Sequence, residues 1–386
     1  MHKAIRNLTR LVWPAMAWLL TIASVSAAFA EGEPLHGDFP RAWVSLEYLN
    51  LWSASAPTPF PLAVTSDAAP TGQPGSPDAT VLLGNRPISI GAFPGFRATL
   101  GGWFSANDRL GAEISGFATG VRAAHFQAAS DGEGNPWLSI PFSDVTSGTP
   151  VESALVVAQP GVRRGRISAD DASIFGGIEA DGLFKLGSAS RSQPGQLAAI
   201  GGLRYITLWE QFQLSSVTTE MSGLSQSRDD VLAALNTFLG AEFGLRGGYR
   251  YRRVTLQLMG KAAFGTTWQA QSAASHGNFP GNWAATSSGL FTQSSNTVYI
   301  PPQRAFSVVP AARLRLSYDL TQRLRATLSY EALYWTNVIR PSNQFDREIN
   351  LSQTAGPLVG AARPAAQHRQ SDFWAQGLTA GLQLNF

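Results

Sequence analysis

The sequence predicts an all-β fold: a transmembrane antiparallel up-and-down β-barrel of about ten strands, with twelve left open. Three observations predict it. Segments of about ten residues alternate apolar and polar side chains along the chain. The connections between those segments sort into alternating long and short ones. And beyond the N-terminus no apolar run is long enough for a membrane helix.

The chain opens on a positive stretch with Lys3, Arg6 and Arg10, an apolar run from Leu11 to Val25, and the small-residue site Ala28-Phe29-Ala30. That is the pattern of a secretory signal peptide over residues 1–30. A short segment, 31–41, follows and is expected on the periplasmic side, ahead of a barrel over 42–386. The full chain has 29 Lys+Arg against 26 Asp+Glu, and the signal takes three of the cations, leaving 26 against 26. A mature chain so balanced gives no electrostatic footprint for nucleic acid. There is no cysteine, which excludes a disulfide framework, cysteine metal sites and a lipid-modified N-terminal cysteine.

Ten segments carry the strand signature. They are Ala42 to Trp52, Gly95 to Phe104, Leu110 to Val121, Ala172 to Leu186, Leu197 to Phe212, Thr237 to Tyr251, Arg253 to Thr267, Phe306 to Leu320, Leu324 to Val338 and Phe373 to Phe386. The ninth is the clearest: Ala326, Leu328, Tyr330, Ala332, Tyr334 and Val338 oppose Arg325, Thr327, Ser329, Glu331 and Asn337. In the eighth, Leu314, Leu316, Tyr318 and Leu320 oppose Arg313, Arg315, Ser317 and Asp319. Long connections follow every odd strand, over 53–94, 122–171, 213–236, 268–305 and 339–372, and short ones follow the even strands. An outer-membrane barrel has long outside loops, short periplasmic turns and an even strand count, which puts both ends on the periplasmic side. The third long loop holds "SRDDVLAALNTF", which fits one or two helical turns after an Asp cap. The second holds "RRGR" at 163–166, which reads as a solvated turn.

The alternation sends a balanced set of charges inward: Glu47, Arg97, Glu113, Glu179, Asp181, Arg204, Glu210, Glu242, Arg246, Lys261, Arg313, Arg315, Arg325 and Glu331. An Arg or Lys facing lipid near the midplane costs about 2–4 kcal/mol, so a barrel requires the inward assignment. Barrels of about eight strands are just filled by side chains, and wide channels need about sixteen, so the expected lumen is narrow or partly plugged. Aromatics near strand ends fit girdles at the two membrane interfaces: Trp43, Trp52, Trp209, Tyr334, Trp335, Trp374 and Phe386.

Chemistry has little support. His36 precedes the first strand, while His125, His276 and His368 fall on separate outer loops or rims, where solvated histidines are ordinary. No metalloprotease helix motif, nucleophile elbow or phosphate-cradling loop is present. Asp131 and Asp144 share one outer loop at a spacing that fits no calcium loop. No cofactor is expected, and the chain reads as not an enzyme.

Several stretches resemble the beta-barrel porin-7 family, an outer-membrane barrel family met mainly in planctomycetes. They are "WVSLEYLNLW", "GFRATLGGWF", "NTFLGAEFGLRGGYRYRRVTLQLMGKAAFG", "FSVVPAARLRLSYDLTQRLRATLSYEALYWTNVIRPSNQFDREIN" and "SDFWAQGLTAGLQLNF", in order over nearly the whole mature chain. "LYWTNVIRPSNQFDREIN" is the most specific, while "TFLGAEFG" lacks the Arg usual after Asn in that motif. The resemblance implies an outer-membrane location and a porin-like role, with the lipid bilayer as partner, and carries no established catalytic residues. It also implies that the last strand, through Leu382, Leu384 and the terminal Phe386, is read by the barrel-assembly machinery. The expected role is passive passage of small solutes through a narrow charge-lined lumen. The alternatives are a structural or adhesive barrel with a plugged lumen acting through its loops, and a loop-sited outer-membrane hydrolase.

Deleting Phe386 should lower the amount of heat-modifiable barrel recovered from outer membranes. Unchanged recovery would defeat the reading of the terminus as an address.

Overall fold

A computed structural model describes residues 42–66, 79–104, 109–186, 195–278, 289–297, 300–355 and 357–386. The signal-peptide and 31–41 readings, and His36, lie outside the described residues. The described strands are β1 (Ala42–Ser53), β2 (Pro61–Ser66), β3 (Thr80–Gly84), β4 (Ala92–Trp103), β5 (Leu110–Thr119), β6 (Arg122–Ala129), β7 (Trp137–Asp144) and β8 (Val151–Ala158). They continue with β9 (Arg163–Leu186), β10 (Gly195–Glu220), β11 (Ser225–Tyr251), β12 (Val254–Asn278), β13 (Gln303–Asp319), β14 (Leu324–Ile339), β15 (Glu348–Ile349) and β16 (Gln370–Asn385).

Ten of them form one antiparallel ring in the order β1, β4, β5, β9, β10, β11, β12, β13, β14, β16. The last strand closes on the first: Trp43 pairs with Asn385, Leu46 with Leu382 and Ser53 with Ala375. Closure gives every wall strand a neighbour on each side over most of its membrane height, as hydrocarbon demands. Alternation then sorts the side chains. Leu328 is 52% exposed and Leu256 48%, while their neighbours Thr327 and Thr255 are 5% and 4%. The outward set, with Leu46, Phe96, Leu203, Phe243, Leu314 and Leu382, makes the apolar belt.

Four wall strands run well past that belt. β9 to β12 have 24 to 27 residues, against 10 to 17 in the other six. β6 continues the track of β5 along β9, from Arg122↔Ser173 to Ala129↔Arg166. Above the belt the outward residues turn polar, as with Arg166, Ser168 and Asp170 on β9, or Gln211, Gln213 and Ser215 on β10. This is a wall in water, at the end opposite the chain termini.

The extension corrects three expectations. The connection over 213–236 is a tall hairpin, with the turn reduced to the few residues between Glu220 and Ser225. "SRDDVLAALNTF" is strand and not helix, because β10 and β12 pair with it on both sides and Leu232, Ala234 and Asn236 are buried inward. "RRGR" opens β9, where Arg163 sits 3.5 Å from Glu220 across the ladder. A further correction concerns Val338. A bulge between Trp335 and Val338 in the pairing with β16, with Asn337 at φ +58°, shifts the alternation and turns Val338 inward.

The remaining strands plug the outer mouth. β2, β3, β7 and β15 form a small sheet in the order β15-β7-β2-β3, and β8 pairs with β7. With the chain ahead of β13 and the chain after β14 they build an apolar core against the inner face of the extension, joining Phe60, Leu62, Ile140, Phe291 and Phe345 to Ile167, Phe212 and Leu232 of the wall. Phe345 is its hub, with ring centroids at 5.3 Å from Phe291, 5.5 Å from Phe212 and 6.4 Å from Phe60, all edge-on.

Leu328→Arg should destabilise the barrel folded in liposomes by roughly 2–4 kcal/mol, read from urea titration. Thr327→Arg should cost less, since its side chain faces the lumen, where its register partner Gly381 pairs in turn with the buried Glu47. The reverse order would overturn the face assignment.

Candidate functional site

The interior of the barrel is the candidate site, and it is built by alternation. Each wall strand offers every second residue to the lumen, so charges excluded from lipid meet there and must find partners. The structure places all fourteen of the charges named from the sequence on the inner face, each in an ion pair. Toward the plug, Arg340 grips Glu210, with Nη2 at 2.7 Å from Oε1. At mid-height Arg97 donates to Glu331 at 2.6 and 3.0 Å and sits 3.8 Å from Glu47. Arg313 also reaches Glu331, at 3.0 Å, and Arg315 reaches Glu47 at 2.6 Å. Arg204 bridges Glu179 at 3.0 Å and Glu242 at 2.8 Å. Nearer the periplasmic end Arg246 holds Glu113 at 2.7 Å, and Arg325 holds Asp319 at 2.6 Å.

Glu179, Asp181 and Glu242 bring carboxylate oxygens within 4.8 Å of one another, close enough to hold a metal ion. The ammonium of Lys261 already occupies that role. Its Nζ donates to Glu179, to Asp181 at 2.9 Å and to Glu242 at 3.3 Å. The cluster is an ion-pair knot that ties β12 to β9 and β11 through the lumen.

Asp319, Asp171 and Arg340 are further charged residues on the inner side, outside the inward set drawn from the sequence. Asp319 carries the same alternation as Arg313 and Arg315, so the signal was present; it pairs with Arg325 and with Arg250 at 2.7 Å. Asp171 is buried next above Ser173 on the inner side of β9. Arg340 follows the bulge, where alternation gives no guide. It also donates to the Ala54 carbonyl at 3.3 Å and lies 5.5 Å from the Phe373 ring centroid.

Two girdle assignments are corrected. Trp43 is 8% exposed and points inward, because Gly101 across the ladder leaves space that a Cβ would fill. Its indole donates to Glu113 Oε2 at 3.2 Å. Trp335 is fully buried, donates to Thr267 Oγ1 at 2.9 Å and meets Phe238 edge-on at 6.2 Å. It shares the parity of Glu331 and so cannot share the face of Tyr334. Trp52, Tyr334 and Trp374 stand exposed at the outer rim of the belt, with Trp209 half-buried there. Phe386 is exposed at the other rim, on the same outward face as Leu382 and Leu384.

Among the described residues, the interior holds two small cavities beside the ion pairs. A cavity of about 40 Å³ lies at mid-height beside Arg97, Lys261 and Glu331. Another of about 80 Å³ opens toward the periplasmic end between Trp43, Trp103, Glu113, Arg246 and Arg325. The mouth is pinned from several sides. Asn236 exchanges two hydrogen bonds of 2.8 Å with the backbone of Ile339. Asp230 accepts from the Leu290, Phe291 and Thr292 amides at 2.7 to 3.1 Å and from the Thr292 hydroxyl at 2.7 Å.

Among the described residues the histidines do not gather. His125 Nδ1 lies 2.8 Å from Asp170 on the exposed face of the extension, and His276 faces Asp229 in the β11–β12 register. His368 Nε2 meets Gln269 Oε1 at 2.8 Å. Asp131 and Asp144 each cap a turn, accepting from the Glu133 and Asn135 amides and from the Thr146 amide.

Removing one member of a buried charge cluster strands the others, at about 3–5 kcal/mol. Lys261→Met should therefore lower the urea stability by that order, and adding Glu242→Gln to it should recover part of the loss. No recovery in the double variant would show that Lys261 acts by packing alone.

The family comparison agrees with this architecture. The family model described as Putative beta barrel porin-7 (BBP7) matches residues 43–386. No curated protein sequence matches the chain. Among solved structures, the outer-membrane protease OmpT of Escherichia coli is similar at 12% identity, over 92% of this chain and 99% of that one, with a TM-score of 0.41. The translocator domain of the autotransporter NalP of Neisseria meningitidis is similar at 10%, over 97% and 96%, with a TM-score of 0.29. A Pseudomonas aeruginosa FadL homologue is similar at 9%, over 89% of each chain, with a TM-score of 0.21. Nothing about function rests on these distant likenesses. The family match spans the whole described barrel, and the chain belongs to the beta barrel porin-7 family, whose porin-like fold sits in the outer membrane.

Proposed function

We propose that this outer-membrane barrel works closed, as a structural or adhesive surface barrel whose extension and plug meet the medium. One observation carries the reading: the apolar core around Phe60, Phe212, Phe291 and Phe345 fills the outer mouth against the wall. An apolar core of this kind is no path for hydrated solutes. Below it, among the described residues, ion pairs and further apolar side chains line spaces of about 40 and 80 Å³.

Passive passage of small solutes is the second reading. The charge-lined periplasmic half, with its space of about 80 Å³, favours it, provided the plug moves. We also infer that the chain is not an enzyme; the loop-sited hydrolase remains the third reading, favoured by the approach of His125 Nδ1 to Asp170 at 2.8 Å on the exposed face of the extension. The exposed row Leu382, Leu384 and Phe386 supports the reading of the last strand as a signal for the barrel-assembly machinery.

Refolded protein in a planar bilayer should insert as a heat-modifiable barrel without stepwise current. Arg340→Ala, which releases the plug from Glu210, should bring openings. Stable steps from the unaltered protein would overturn the closed reading in favour of passage.

A further inference from the structure

The barrel wall is not evenly sealed. The ladder between β13 and β14 runs from Asp319↔Arg325 up to Ala311↔Leu333 and stops. The next residue of β13 is Pro310, which has no N–H to offer. From there β13 stays paired with β12 alone, up to Gln303↔Gln269. β14 meanwhile stays paired with β16 through Tyr334↔Trp374 and Trp335↔Phe373, then bulges. Side chains cross the parted seam instead of backbone. The Val308 amide donates to Thr336 Oγ1 at 2.9 Å, and Asn337 Nδ2 donates to the Phe306 carbonyl at 2.8 Å.

A cleft of about 490 Å³ lies at this seam on the lipid-facing side. That volume falls within the roughly 300–1,000 Å³ of small-molecule sites. Its floor is Pro310, Ala312 and Ala332, and its flanks are Tyr334, Trp374 and Gln376. Tyr334 and Trp374 stand at the outer rim of the belt, so the cleft opens into the hydrocarbon just beneath the interface. Behind the floor lies the mid-height interior cavity. The two spaces share Ala311, Ala312, Ala332, Leu333 and Ala375 as lining. One layer of mostly alanine side chains separates lipid from the inner cavity here.

We propose that the β13–β14 seam is a lateral binding site for a fatty-acyl chain taken from the outer leaflet. Three features point to that occupant. The cleft faces the bilayer, where acyl chains are the surrounding medium. Its floor is apolar and made of small side chains. Its upper flank is a Tyr–Trp pair of the kind that holds amphiphiles at an interface. The wall is thin here, where the ladder is interrupted and the shared lining is mostly alanine, so a chain seated in the cleft lies against the layer that separates it from the interior. The proposal holds whether or not the plug opens.

The test is photolabelling of the full chain in liposomes doped with a diazirine-bearing palmitic acid, with labelled positions read by mass spectrometry. Labelling should concentrate at Ala312, Ala332 and Tyr334, several-fold above belt positions on the other walls such as Leu203 and Phe243. Ala332→Trp fills the floor and should reduce seam labelling at least fivefold, with labelling at Leu203 and Phe243 unchanged. Ala312→Leu is the milder variant for the same readout if Ala332→Trp fails to give a heat-modifiable barrel. Uniform labelling around the belt would mean annular lipid only and would overturn the proposal. So would seam labelling that survives the filling of the cleft in a folded variant.

Discussion

The structure depends on one constraint: a charge in the wall cannot face hydrocarbon, and once turned inward it cannot remain alone. The narrow ring brings opposite walls within reach, so some partners are found across the lumen, beside others on adjacent strands such as Arg204 and Glu179 or Arg325 and Asp319. Arg97 and Glu331 lie 234 residues apart in sequence, Arg315 and Glu47 268, and Arg340 and Glu210 130. Each pair staples strands that share no ladder. Dehydrating so many charges is costly, and their mutual attraction repays that cost only because the geometry is close and the pairs join into networks. Lys261 shows the principle at its densest, with a single ammonium shared by three carboxylates.

The same strands serve two solvents. Within the belt β9 to β12 are apolar outside and charged inside. Above it they are polar outside and apolar inside, and the sense of burial inverts without a break in the backbone. That inversion gives the plug something to pack against. Phe212 and Leu232, inward on the extension, receive Phe345 and Phe291 from the connections.

The plug and the seam share a cause. The chain from Val338 to Asn350 is buried almost throughout and runs through the mouth. To deliver Ile339 and Arg340 there, β14 must leave its ladder, and the bulge at Thr336 and Asn337 makes the turn. Pro310 stands opposite the point of departure, where a backbone donor toward β14 would have no regular partner. Thr336 and Asn337 then satisfy the orphaned groups of β13. The stretch "LYWTNVIRPSNQFDREIN", which carried the family resemblance most strongly, is the stretch that does this.

Much of the barrel was legible beforehand. The two-residue period, the cost of charge in lipid and the alternating connections determined the ring, its even count and which charges point inward, because each is a local property of a strand in a fixed medium. Partners were not legible, since alternation assigns a face and says nothing of what stands across the lumen; Arg340 illustrates this, lying past a bulge that resets the parity. The extension was not legible either. Above the membrane a wall strand such as "QLSSVTTE" has polar residues on its outer face, and so it reads as loop. The indoles of Trp43 and Trp335 went to the interior for reasons of contact: a glycine opposite one, a hydroxyl acceptor beside the other. The sequence by itself determined the medium and the faces. Only the tertiary structure decided what fills the barrel, because filling is settled by residues that meet across space after the ring has closed.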